Sequence, residues 1–371
     1  MGGSLAGARL IYLGPRDGAG GVGDYAQQFL DAVRPLFGAV VEYRHGGPGE
    51  DGVADLRRHR RAVGTLIDEP YPGPTLVHAE LSGGAVTPFW AIAGRRDVAL
   101  SATVHDPPNL IWWPWRTRFM ANHRLVNHGV HVPLQAVSRR VERSVAAGLQ
   151  LFSLTDSGAR SLASAYPRAR VARVPHIAPV RRAVTPAPQR PLAVGFFGLV
   201  YRGKGFELIG RIRELLSDDV AIRVAGRGTE QLPSVPGIDI VGGVEGADED
   251  AFFESVRAVV VPYGRRTFYG PAYPSSAVVT HAIGYGTPVI CSDHGALVDL
   301  DQRHGAVVVR VPSTDSTGGV EQFCWAIDYL VKDSERLHQL GANAILERDR
   351  RSPQRVAQAY AEHWSRMVGT R

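Results

Sequence analysis

The sequence predicts an α/β protein made of two Rossmann-like parallel-sheet domains, and three observations predict it. Its 371 residues exceed what one ordinary hydrophobic core serves and suit two. Twice the chain runs from a short apolar stretch through glycines into a helical pattern, once over Ala8–Val33 and again over Val194–Ile209. Strand, glycine turn and helix are the opening unit of a parallel sheet. Between the two halves lies Ala178–Pro191, with four prolines, three arginines and no apolar period. The expected domains are therefore 1–177 and 192–350, joined by a linker over 178–191.

Composition narrows the function classes. Apolar content of 44% with 21% charged residues is that of a globular protein, and no apolar run approaches the ~20 residues a membrane span requires. The opening Met1–Ala8 has neither a basic start nor a long apolar core, so no secretory signal is read and a cytoplasmic protein is expected. Cys291 and Cys324 stand far apart in apolar surroundings, which suits buried reduced thiols. A net charge of +6 favours anionic partners: nucleotide phosphates, nucleic acid or anionic lipid. With no zinc-finger spacing and no RNA-binding signature, nucleic acid drops out.

In the first half, Ala8–Leu13 reads as a buried strand and Gly14–Gly23 as its loop. Val22, Tyr25, Ala26, Phe29, Leu30 and Val33 follow at helical spacing. Gly18, Gly20 and Gly23 also match a dinucleotide fingerprint, with Glu42 placed as a ribose-binding acid. Against it, Gly14–Asp17 separate the strand from Gly18, and so long a loop suits a lid better than a tight turn on a pyrophosphate. Glu50–Asp68 is a solvated helix. Pro74–Glu80 and Val98–Val104 are core strands that deliver Glu80 and His105-Asp106 to a carboxyl-end rim, where open α/β sheets bind ligands. Glu80 is a candidate hydroxyl acceptor facing the cleft. His105, beside Asp106 and two prolines, is a candidate to bond a sugar hydroxyl. Asn109–Met120 packs Trp112, Trp113, Trp115 and Phe119 among Arg116 and Arg118. That composition fits a membrane interface, an acceptor wall at Trp112 and Trp113, or a core under a loop. Leu151–Thr155 and Val171–Pro175 read as the last strands of this half, with Asp156-Ser157 capping the helix between them.

The second half opens on Gly198–Gly205, a turn carrying Arg202 and Lys204. Of the chain's 42 basic residues only Lys204 and Lys332 are lysines, so a lysine between two glycines marks a place for a compact charge. Free amides and a lysine at such a turn can hold a phosphate. Ala221–Ala225 is a strand ending at Gly226, where backbone amides can meet a base or ribose, and Ile238–Val244 is another. Asp248-Glu249-Asp250 reads as the acidic start of a helix, and Ala258–Pro262 as a strand ending in the loop Tyr263–Ser275. Ser275 and Ser276 then open a helix through Ala277 to His281, which offers a second anion site and puts His281 about a turn and a half along. Gly284–Pro288 ends that helix before the strand Val289-Ile290.

Taken together these stretches resemble glycosyltransferase family 4 and related retaining enzymes of the GT-B fold, over nearly the whole chain. The matching pieces are Gly20–Gly23, Thr103–Pro107, Thr155–Ser157, Gly198–Gly205 and Ala282–Ile290. The resemblance implies two Rossmann-like domains facing across a cleft and a nucleotide diphosphate sugar held mostly by the second domain. It implies sugar transfer to a hydroxyl acceptor (glycan, lipid or small molecule) with retention, and no metal ion or other cofactor. It gives His105 the donor sugar, lets Gly20, Gly21 and Val22 close over the phosphates, and makes Lys204 one of two cations on the leaving diphosphate. Gly198, Gly226, Tyr273, Ser275, Ser276, Ala277 and His281 complete the donor-binding set, with Glu80, Asp106, Trp112 and Trp113 on the acceptor side. A C-terminal helix over 351–371 is expected to return to the first domain. Two departures stand out. The family's arginine after Gly198 is Leu199 here, leaving Arg202 to supply the charge, and its two glutamates, eight residues apart, are Tyr273 and His281. Both replacements keep a non-catalytic sugar- or partner-binding homologue open as the alternative, with an NAD(P)-dependent oxidoreductase behind it. A cytoplasmic enzyme, peripheral at the inner face of the membrane through the tryptophan segment, is the expected setting.

Overall fold

The structure is a computed structural model that describes residues 5–18, 20–265, 270–312 and 317–369. Ala19 of the first glycine loop and residues 266–269 of the loop after Pro262 lie outside the described residues. The chain forms two compact units: residues 1–177 with 272–275 and 353–371, and residues 178–271 with 276–352.

The first unit is built on a six-stranded, all-parallel sheet. Strand β1 (Arg9–Pro15) is buried throughout and feeds helix α1 (Gly21–Val33), whose Tyr25, Ala26, Phe29, Leu30 and Val33 face inward as their spacing demands. Because β1 runs to Pro15, only Arg16 and Asp17 separate it from Gly18, so the loop is shorter than the sequence suggested. Next come β2 (Ala39–His45), α2 (Val53–Asp68) and β3 (Thr75–Leu81), then α3 (Val86–Ile92) and β4 (Ala99–Val104). A short α4 (Arg118–Asn122) leads into α5 (Arg124–Ala146), a 23-residue helix that the sequence had not announced. The unit continues with β5 (Gln150–Ser153), α6 (Asp156–Ala165) and β6 (Arg170–Arg173). Thr155, not Asp156 or Ser157, caps α6: its hydroxyl accepts from the Gly158 amide at 3.1 Å. The strand order β2-β1-β3-β4-β5-β6 places a topological switch between β1 and β3.

A second six-stranded parallel sheet makes the other unit. Its elements are β7 (Ala193–Phe197), α7 (Ile209–Leu215), β8 (Ala221–Ala225), β9 (Ile238–Gly242), α8 (Ala247–Glu254) and β10 (Ala258–Val261). They are followed by α9 (Ala277–Gly284), β11 (Val289–Ser292), β12 (Ala306–Val309), α10 (Val320–Lys332) and α11 (Ser334–Arg350). Runs such as Ala258–Val261, buried at every position, are strands covered on both faces, which is why they read as unbroken apolar stretches. The order β12-β11-β10-β7-β8-β9 is the dinucleotide-fold arrangement, and its switch falls between β7 and β10.

Residues 178–191 are packed into this unit and are no free tether. Arg190 is buried, its guanidinium bonded to the carbonyls of Thr185, Val256 and Tyr285 and to the Thr287 hydroxyl. Helix α12 (Pro353–Gly369) belongs to the first unit, where Val356, Tyr360, Trp364 and Met367 pack against the Phe29 side of the sheet. Burying each of these side chains stabilises that docking by roughly 1.5–3 kcal/mol.

Candidate functional site

In the second unit the candidate residues gather where the topology predicts a crevice, at the carboxyl ends of β7 and β10. Gly198 follows β7 with φ +117°, and Gly226 follows β8. A Cβ on Gly226 would stand 2.2 Å from the Gly198 carbonyl oxygen, so the two turns interlock only as glycines. Beyond Gly198 the loop carries Leu199 and Arg202 into solvent and brings Lys204 back toward the sheet. Gly205, at φ +81°, lets the backbone press against Pro262, where a Cβ would meet a carbonyl oxygen at 2.3 Å. That approach places Lys204 beside Tyr263. The ammonium donates to the Tyr263 hydroxyl at 2.5 Å and sits 3.8 Å from the ring centroid. The same hydroxyl is 2.9 Å from Ser276 Oγ. Ser276 caps α9 by accepting from the Val279 amide, and the first-turn amides of Ala277 and Val278 have no carbonyl of their own helix to bond.

The two anion sites read from the sequence, Lys204 and the Ser276 helix start, are thus joined through Tyr263. Sequence reasoning missed that residue, although it follows a core strand at its carboxyl end, the same signal that singled out His105. Helix α7 begins only at Ile209, with a 3₁₀ turn before it, so what stands at Lys204 is a glycine loop with a lysine charge and not the start of a helix.

His281 lies farther along α9, half-buried against Phe197, with Nδ1 2.7 Å from Glu249 Oε1. Glu249 is buried and its other oxygen accepts from Arg181 at 2.9 Å. Asp250 accepts from the Tyr285 hydroxyl and from Arg182. The acids 248–250 occupy the first turn of α8, but its N-cap is Gly246 without a side-chain bond. Two of them are therefore partners of distant side chains and do more than begin a helix.

In the first unit His105 follows β4 and its Nε2 is 2.7 Å from Glu80 Oε2. Glu80 is not at a rim: it is fully buried at the β1/β3 switch, where Oε1 accepts from the Tyr12 hydroxyl at 3.0 Å and lies 3.4 Å from His78 Nε2. Burial would raise its pKa, but hydrogen bonds from His105 and His78 prevail and hold it at about 2. Glu80 is thus an ionised support for His105 and offers nothing to an acceptor. Asp106 Oδ2 accepts from the Gly83 amide at 2.9 Å, fixing the loop. Tyr273, in the segment 272–275 that packs with this unit, donates its amide to the Pro107 carbonyl, and its own carbonyl accepts from Thr155. Gly20, Gly21 and Val22 are at the start of α1, whose Tyr25 meets the His105 ring edge-on at 5.1 Å. Ser275 is half-buried in the same segment as Tyr273.

The tryptophans divide: Trp112 is exposed under Arg116, while Trp113 is buried against Trp115 and His131. Trp113 is therefore packed in the interior of its unit. Glu42 is mid-strand in β2 and ion-paired with Arg34 and Arg44, which withdraws it from the role of a ribose-binding acid at a strand end.

Among known proteins, no family model and no curated protein matches this chain. Solved structures do. One is Anabaena Alr3699/HepE in complex with UDP, at 13% identity over 96% of this chain and 99% of that one, with a TM-score of 0.64; the same protein is also solved with UDP-glucose. Another is a glycosyltransferase from Rickettsia africae ESF-5, at 10% identity over 98% and 99% of the two chains and a TM-score of 0.65. AviGT4, a glycosyltransferase involved in avilamycin A biosynthesis, is similar at 14% identity over 97% and 98%, with a TM-score of 0.58. At such identities the likeness carries the fold: this is an α/β protein of two Rossmann-like parallel-sheet units, the architecture of those glycosyltransferases. No helix among the described residues is long and apolar enough to cross a membrane.

Proposed function

We propose that the chain is a glycosyltransferase that moves a sugar from a nucleotide diphosphate sugar to a hydroxyl acceptor, with retention. The observation that carries this reading is the Lys204–Tyr263–Ser276 cluster at the sheet switch point, a cation and a helix start linked by one hydroxyl. Solved proteins of this fold with UDP and UDP-glucose bound support it.

On this reading Lys204 and the α9 amides stabilise the charge that develops on the leaving diphosphate, with Arg202 joining from the same loop. Placed donors of this kind are usually the largest single contribution to such catalysis. Gly198 and Gly226 admit the nucleotide close to backbone, and His281 with Glu249 meets a hydroxyl. His105 bonds the donor sugar, and Gly20, Gly21 and Val22 close over its phosphates. Neither a protein nucleophile nor a metal is required. The dinucleotide reading loses ground with Glu42 engaged by two arginines, and a non-catalytic homologue remains the second reading because Tyr273 and His281 replace two acids.

We place the protein in the cytoplasm, peripheral at the membrane's inner face, but through α5 and not through the tryptophans. Between Asp106 and the buried Glu142 there is no acid, while five arginines fall in that stretch. Phe119, Leu125, Val126, Val132 and Val137 are exposed there. Apolar side chains among arginines suit an anionic bilayer surface.

A thermal-shift panel of UDP, GDP, ADP, dTDP and NAD tests the catalytic reading. One nucleoside diphosphate is expected to raise the melting temperature, corresponding to about 2.7 kcal/mol at a hundredfold excess over its Kd. Stabilisation by NAD alone would revive the oxidoreductase, and no shift with any ligand would leave the non-catalytic reading in front.

A further inference from the structure

We propose that Glu80 is a positioning residue: it fixes the His105 ring with Nε2–H turned inward and Nδ1 left for a ligand, and helix α12 holds Glu80's own surroundings through His78. The inference rests on the reading that His105 meets the donor sugar.

An ionised carboxylate only accepts hydrogen bonds. With Glu80 Oε2 at 2.7 Å, the His105 nitrogen facing it must carry a proton. On the far side, Oε1 takes the Tyr12 hydroxyl and faces His78 Nε2. His78 is fully buried and both its nitrogens are engaged, Nδ1 at 2.8 Å from Ser101 Oγ and Nε2 at 3.0 Å from Thr103 Oγ1. Trp364 Nε1, which can only donate, gives its proton to Ser101 Oγ at 3.0 Å. The Ser101 hydroxyl hydrogen has two acceptors in reach, the Val77 carbonyl at 3.4 Å and the nearer His78 Nδ1 at 2.8 Å; taken by Nδ1, it leaves Nε2–H of His78 pointing toward Thr103 and Glu80. Thr103 Oγ1 in turn lies 2.9 Å from the Tyr360 hydroxyl. Trp364 and Tyr360 are both on α12, and every member of this chain of bonds except His105 is buried. In such a dry network each donor direction constrains the next. The run from α12 through Ser101, Thr103, His78 and Glu80 ends at the one ring that reaches toward solvent.

Glu80→Gln inverts the last link. Tyr12 donates to Oε1 and His78 Nε2 faces it at 3.4 Å, so the amide oxygen takes that side and the amide NH₂ faces His105, a donor where the ring needs an acceptor. The test is a ¹⁵N long-range correlation spectrum of the full chain, with His105 assigned from the His105→Gln variant. The wild type is expected to show a protonated Nε2, and Glu80→Gln a bare Nε2 with Nδ1–H. With UDP-glucose as the probe, the variant is expected to lose about tenfold or more in kcat/KM. A bare Nε2 in the wild type overturns the proposal and needs no variant to be seen. So does a Glu80→Gln protein that melts earlier while its His105 ring signals stay in place, since that is a structural role only. If no nucleoside diphosphate stabilises the protein, the glycosyltransferase reading fails while the ring spectrum still decides the positioning.

Discussion

Removing the ammonium of Lys204 should weaken nucleoside diphosphate binding by a predictable amount. A hydrogen bond from a charged donor contributes about 1.5–3 kcal/mol net, which would give Lys204→Ala a loss of roughly 10- to 150-fold in Kd. Lys204, however, is already bonded to the Tyr263 hydroxyl at 2.5 Å and lies over its ring. A phosphate has to compete with that contact, a cation–π pair of about 0.5–2 kcal/mol. The net loss should therefore sit near the lower end, about tenfold. Calorimetric titration with UDP on wild type, Lys204→Ala and Arg202→Ala measures it, with Arg202, exposed on the loop, expected to lose less. Lys204 is only partly buried, so the variant should stay within about 1 kcal/mol of wild-type stability. Binding by Lys204→Ala within about twofold of wild type would refute the phosphate grip.

Two further outcomes follow from other parts of the fold. Glu142, buried on α5 and bonded to the Tyr166 hydroxyl at 2.7 Å, has its pKa pushed up from the ordinary 4.5 to about 7 by burial. A raised carboxyl favours the protonated fold, so the stability it contributes is full below pH 4.5 and is lost as pH rises through 7, about 3 kcal/mol in all. Glu142→Gln stays neutral, and its melting temperature should fall less than wild type's between pH 5 and pH 8; equal falls would count against the shift. Replacing Leu125, Val132 and Val137 with glutamate should abolish co-sedimentation with phosphatidylglycerol vesicles and leave UDP binding intact. Unchanged sedimentation would remove α5 as the membrane face.

What the sequence disclosed and what it hid divide along physical lines. Strands such as Val194–Phe197 and Ala258–Val261 were legible because both faces are covered and every position is apolar. Helix α5 was not. It contains Gly129 and Pro133, and its valines and leucines from Leu125 to Val137 are exposed, with only Val141 and Val145 near its end packing inward, so no continuous inward apolar stripe marks it. Glu80 was found but misplaced: a strand's carboxyl end shows on the chain, whereas its burial comes from Tyr12 and from a helix that begins at Pro353. The acids 248–250 stand where a helix dipole favours acids, and nothing local announces that Arg181 and His281 claim Glu249. Tyr263 was within reach of the strand-end argument, and only the contact with Lys204 gives it meaning.

The absence of an acid at position 281 looks different once Glu249 is placed. Its carboxylate stands 2.7 Å from His281 Nδ1, on the neighbouring helix α8, and Arg181 secures its other oxygen. On the proposed reading Glu249 would orient the ring and His281 would present its remaining nitrogen to a hydroxyl. This is the same device as Glu80 and His105 in the other unit, with the opposite ring nitrogen turned toward the carboxylate. If His281 meets a ribose hydroxyl, its loss should be felt in proportion to the hydroxyls on the ligand. UDP should bind wild type more tightly than 2′-deoxy-UDP does, and His281→Ala should bring the two together while leaving the phosphate contribution of Lys204 intact. Glu249→Gln should produce part of the same convergence, and the double variant should add little to His281→Ala, because residues that act through one another are not additive. Equal weakening of both nucleotides, or full additivity of the two substitutions, would instead make the pair a structural tie between α8 and α9.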